Sequence, residues 1–75
     1  MEYKPRGLAH LVERALRRNT FTATQPIRVI VHGNAIWLYG SVSHADMIAE
    51  AVAVAEAVAP MVRVYSRLRV RGVRV

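Results

Sequence analysis

The sequence contains no cysteine, so neither a disulfide framework nor a thiolate metal site can supplement its core. Acidic residues are scarce: five carboxylates stand against eleven lysines and arginines, for a formal net charge of +6. That excess, almost all arginine, favours anionic partners such as nucleic acid, lipid headgroups or an acidic protein surface, without choosing among them. Long hydrophobic runs are missing too. The best candidate, Ala51 to Val62, is interrupted by Glu56 and Pro60 and falls well short of the roughly 20 residues of a membrane span. Residues 1–7, Met1-Glu-Tyr-Lys-Pro-Arg-Gly, lack the apolar segment of a signal peptide. These absences predict a cytoplasmic protein whose attachment to a membrane, if any, is peripheral. Its 75 residues predict one small domain, with a core over 8–70 and tails at 1–7 and 71–75. So small a core must be packed efficiently or supplemented by self-association.

Signatures of catalysis are equally thin. Ser41, Ser43, His44 and Asp46 crowd one segment, but a hydrolase triad needs its members hydrogen-bonded in series beside an oxyanion site. Helix capping accounts for Ser43 and Asp46 more simply. His10, His32 and His44 show neither His-x-x-x-His nor His/carboxylate spacing. Gly33 and Gly40 fall in a turn and a strand, not in a phosphate-cradling loop ahead of a helix. No enzyme, cofactor or metal site is predicted.

What is present is periodicity. Leu8, Leu11, Val12, Ala15 and Leu16 have amphipathic-helix spacing; Pro5-Arg-Gly7 is the expected lead-in and Asn19-Thr20 the expected stop. Ile27 to His32 alternates, Gly33-Asn34 signals a turn, and Ile36, Leu38 and Val42 mark a second alternating run, together a β-hairpin. Ser43, with Asp46 three residues on, resembles a capping box for an alanine-rich helix from His44 to about Ala59, stopped by Pro60. Its apolar residues form two adjacent stripes, Ile48/Val52/Ala55/Ala59 and Met47/Ala51/Val54/Val58, so the helix requires two neighbours. A last strand, Val62 to Val70, alternates again. The expectation is an α+β fold: a two-layer α-β-β-α-β sandwich, two helices on one face of a three-stranded mixed sheet, with a right-handed crossover into the last strand. Val73 and Val75 break the alternation, as at a bulge or a frayed end.

These residues carry a family resemblance. Val29-Ile-Val31, Gly33 in the turn, Ile36-Trp-Leu38-Tyr-Gly40-Ser-Val42, the alanine-rich helix and Val64-Tyr-Ser-Arg-Leu68-Arg-Val70 follow one another as in a BON domain, the bacterial osmotic-shock and nodulation module. The chain resembles it from about Ile27 to Val70, more weakly in the first helix. It departs at Pro60-Met61, where the family has Gly-Val, and at Ser66, where the family has Asn. The resemblance implies a non-enzymatic module that attaches to anionic phospholipid or another envelope component. The Gly-x-x-Gly clamp of the similarly arranged KH domains is missing.

The alternation also assigns an outer sheet face. Arg63, Tyr65, Arg67, Arg69 and Arg71 fall on one side of the last strand, opposite Val64, Leu68 and Val70. Arg28, Ile30, Trp37 and Tyr39 join them from the hairpin. Arginine interleaved with aromatic rings suits an interface between copies, a membrane surface or single-stranded nucleic acid. Self-association and anionic lipid rank ahead of nucleic acid as expected partners: the first because an uncovered face bearing Ile30, Trp37 and Tyr39 is a sizeable apolar patch, the second because the family resemblance implies it and the interface chemistry suits it. A simpler explanation stands beside these: arginines on an exposed strand can be a solvated face that discourages edge pairing, while outward aromatics raise β-propensity. Tyr3, Lys4, Arg6, His10, Arg14, Arg17 and Arg18 make a second basic patch, read as a solvated helix face.

Overall fold

Leu8, Val12 and Leu16, four residues apart, form the buried seam of α1 (Pro5–Arg18) in the computed structural model, which describes residues 5–72. The helix takes in Arg6 and Gly7, which the sequence assigns to a lead-in. A glycine costs a helix about 1 kcal/mol relative to alanine, too little to stop one whose next residue enters the core. Leu11 departs from expectation: it is 41% exposed, because α1 buries a narrow i, i+4 seam and not the full apolar arc. Tyr3, Lys4, Val73 and Val75 lie outside the described residues.

The helix ends on an organised loop where the sequence suggests only a polar connection. Asn19 Oδ1 accepts from the backbone N–H groups of Phe21 (2.8 Å) and Thr22 (3.2 Å). The buried Thr22 hydroxyl donates to the Leu16 carbonyl at 2.7 Å, supplying a partner that the last helical turn cannot provide itself.

β1 (Ile27–His32) and β2 (Ala35–Val42) pair antiparallel across Gly33-Asn34. Gly33 has φ 61 and Asn34 a negative φ, the pattern of a two-residue type II′ hairpin. β3 (Arg63–Val70) pairs parallel to β2, giving a mixed sheet in the order β1-β2-β3. Both helices lie on the face bearing Val29, Ile36, Leu38, Val42 and Leu68. This is the expected α-β-β-α-β arrangement.

α2 (Asp46–Val58) seats Met47, Ala51, Ala55 and Ala59 in the core, with Ile48, Val52, Val54 and Val58 half-buried on either side. The seam thus takes members of both stripes read from sequence, and its alanines let the helix lie close to the sheet. The capping box is not formed. Ala45 occupies the N-cap in a helical conformation with no side-chain cap, and Met47 N–H bonds the His44 carbonyl at 3.1 Å. Ser43 is diverted: its N–H and hydroxyl both donate to Gln25 Oε1, at 3.0 and 3.2 Å. Asp46 remains in the first turn, where its charge suits the positive end of the helix dipole.

No helix among the described residues is long and apolar enough to cross a membrane. Among the described residues the buried apolar core includes no aromatic one; Phe21, Tyr39 and Tyr65 are exposed and Trp37 half-buried.

Candidate functional site: the outer face of the sheet

Strand register sorts the outward side chains into rows across the sheet. Arg28, Tyr39 and Arg67 form one; Ile30, Trp37 and Tyr65 the next; His32, Ala35 and Arg63 a third; Ser41 and Arg69 begin a fourth. An apolar and aromatic row is thus bounded on both sides by cationic ones. Ile30, Tyr39 and Tyr65 are 46%, 38% and 39% exposed, a large apolar share for a surface that the fold leaves uncovered.

The central row is held by its own contacts. Trp37 and Tyr65 are partners in the parallel ladder, and their rings stack with centroids 4.6 Å apart and planes at 24°. The Arg67 guanidinium carbon lies 5.8 Å from the Trp37 centroid, within cation–π range. Arg63 is exposed, and its pKa is raised above the ordinary value by hydrogen bonding to the Tyr65 oxygen and then by the negative charge that oxygen carries when ionised. Tyr39, Gly40, Arg67, Leu68 and Arg69 line a shallow open depression of ≈ 600 Å³.

The two layers are electrostatically unlike. Among the described residues every side-chain carboxylate sits on a helix, Glu13 on α1 and Asp46, Glu50 and Glu56 on α2. Arg28, Arg63, Arg67 and Arg69 therefore share a face that contains no acidic residue.

Arg71 belongs elsewhere. Its backbone N–H bonds the Val42 carbonyl at 2.8 Å, one residue beyond β3. Its guanidinium donates to Ser41 O (3.2 Å), Ser41 Oγ (3.3 Å), Gln25 Oε1 (3.2 Å) and Ser43 Oγ (2.8 Å). The last rung of the arginine ladder thus ties β3 to the loops flanking the hairpin, and residue 71 is part of the folded unit instead of a tail. Gln25 and Ser43 carry no sequence signal of this role, since the three segments meet only through tertiary structure. Ser66, on the inner side of β3, accepts the Leu68 N–H at 3.3 Å.

On the helical layer Arg6, His10, Arg14, Arg17 and Arg18 are exposed. Asn19 donates to Glu50 at 2.7 Å and links α1 to α2. An open groove of ≈ 450 Å³ between the helices is lined by Leu11, Arg14, Arg18 and Val54 among others.

The chain matches no protein-family model, and comparison with curated proteins returns no match.

Proposed function

We propose that the chain is a non-catalytic binding and assembly module that associates with further copies of itself through the outer sheet face. One observation carries this reading: among the described residues the aromatic side chains are kept out of the buried core, and three of them share an uncovered face with Ile30. Burying such rings supplies much of the stabilisation in both cores and interfaces. A domain this small has strong reason to place them inside unless a partner covers them. The resemblance to BON domains supports the non-catalytic part of this reading; the ligand it implies is anionic phospholipid or another envelope component.

A second reading has its own support. Four arginines beside Trp37 and Tyr65, with the carboxylates confined to the other layer, suit an anionic phospholipid surface, where amphipathic rings sit among headgroups. In that case the module would be cytoplasmic and peripheral to the membrane. Single-stranded nucleic acid is less well served, because Trp37 is already engaged by Tyr65 and Arg67, whereas a stacking base needs an open ring face.

Light scattering at rising concentration tests the assembly reading. The mass should be a multiple of the 8.4 kDa chain and should fall to one chain in Tyr39→Asp. A strict monomer would refute self-association. Blue-shifted Trp37 emission with anionic but not zwitterionic vesicles would then select lipid. A salt-sensitive anisotropy change with oligo-dT would select nucleic acid.

A further inference from the structure

Two copies meeting through this same face on both sides would bring Arg28, Arg63, Arg67 and Arg69 of each against their like, with no carboxylate between them. Like charges juxtaposed across an interface select against it. A two-fold, self-complementary contact through the sheet face is therefore disfavoured, and the matching surface has to lie elsewhere on the second copy.

α2 provides one. Asp46, Ala49, Ala53, Glu56 and Ala57 are all exposed. At roughly 100° per residue they fall within an arc of about 100°, opposite the buried Met47, Ala51 and Ala55. This strip holds two carboxylates and no cation, and its alanines leave it flat. Asp46 and Glu56 are ten residues apart, about 15 Å along a helix axis. On β3, Arg63 to Arg67 spans about 13 Å and Arg63 to Arg69 about 20 Å. Both carboxylates can thus reach arginines at once while the Trp37–Tyr65 pair rests on the alanines. The cations of α1, Arg14, Arg17 and Arg18, are exposed on the same layer and steer an incoming sheet face toward α2.

We infer that the outer sheet face of one copy docks on the α2 surface of the next. The inference rests on the self-association reading and gives that site its partner: a second copy, approached from its helical side. Because the two surfaces lie on opposite layers of one chain, the contact is head-to-tail. Each added copy presents a fresh sheet face or a fresh helix, so assembly proceeds to a ring or a filament according to the rotation between neighbours.

The test uses the full chain in two double variants, Ala53→Arg/Glu56→Arg on α2 and Arg67→Glu/Arg69→Glu on the sheet, with mass by light scattering and folding by circular dichroism. The wild type should form species whose mass grows with concentration. Each variant alone should be a folded monomer. Mixed one to one, they should recover a mass of at least two chains, because each retains the surface the other has lost. Recovery on mixing also shows that neither variant had simply unfolded. If Ala53→Arg/Glu56→Arg keeps the wild-type mass, or if the mixture stays monomeric, head-to-tail docking is overturned and self-association by another geometry stands. If the wild type is itself a monomer, both readings fall, and its binding to anionic vesicles or to oligo-dT assigns the sheet face to lipid or to nucleic acid.

Discussion

Replacing Gly40 with alanine should destabilise the fold far more than the same change at Gly33, although both glycines have positive φ. Gly40 lies toward the end of β2 at φ 126, paired with Ile27, the first residue of β1. A Cβ there would collide with the Pro26 carbonyl oxygen and lie 3.1 Å from its carbon and 3.3 Å from Ile27 Cα. The obstacle is the Pro26–Ile27 backbone, so no side chain can rotate away. An L-residue in that conformation costs about 1–3 kcal/mol, and forcing backbone apart in a packed region adds a similar ~1–3 kcal/mol. At Gly33, with φ 61, a methyl group would meet nothing within 4 Å, so Gly33→Ala bears only the left-handed penalty of about 1–2 kcal/mol. A domain of this size has a stability of roughly 4–11 kcal/mol. Gly40→Ala, at about 2–6 kcal/mol in all, should therefore lower Tm by about 8–48 °C, at 4–8 °C per kcal/mol, and Gly33→Ala by about 4–16 °C. Thermal and urea unfolding of both variants at one fixed protein concentration would measure this, since self-association would otherwise shift Tm by mass action. Equal losses at the two positions would refute the close approach of Pro26 to β2.

Two further outcomes concern contacts that sequence alone does not reveal. Thr22→Val should cost about 1–2 kcal/mol in urea unfolding, by removing the hydroxyl that bonds the Leu16 carbonyl in a buried position; a neutral result would mean that this carbonyl finds another partner. Ser43→Ala and Arg71→Ala, each expected to cost about 0.5–1 kcal/mol because the network is partly exposed, should be non-additive in a double-mutant cycle. Strict additivity would show that the two side chains act independently.

Alternation is the most legible signal in the chain because a strand with one buried face commits every second residue. It assigns Arg63, Tyr65, Arg67 and Arg69 outward, as it does Ile30 and Tyr39, and all six are exposed in the fold. The pairing of rows is not legible in the same way. Trp37 meets Tyr65 only because β2 and β3 run parallel in one register, which is set by the length and seating of α2 and not by either strand. Ser43 departs from its expected capping role for a related reason. A serine ahead of an apolar helix is a good cap locally, but Gln25 and Arg71, 18 and 28 residues away, compete for its polar groups. Leu11 escapes the core because periodicity counts apolar residues without knowing how much of the arc has a neighbour. Arg71 is indistinguishable by pattern from the ladder that precedes it, since its partners Gln25, Ser41 and Ser43 come from two distant segments.

A solvated, solubilising sheet face is the competing explanation for the arginines, and it makes a different demand on their chemistry. Solubility requires charge, which lysine supplies equally well. Docking on carboxylates draws on the planar fork of arginine, which binds both oxygens together, and on its capacity to lie over an aromatic ring. Arg67 already lies over Trp37, and a lysine there would lose that stacking and retain only a point charge. Replacing Arg28, Arg63, Arg67 and Arg69 together by lysine preserves net charge and leaves the inner face of the sheet untouched. If the face is only solvated, mass and concentration dependence should both match the wild type. If it is an interface, the variant should fold with similar stability yet need at least about tenfold more protein to assemble, the equivalent of losing one good charge-assisted contact of roughly 1.4 kcal/mol. Sedimentation velocity across a concentration series distinguishes the two, and an unchanged assembly curve would return the arginine ladder to the role of a soluble surface.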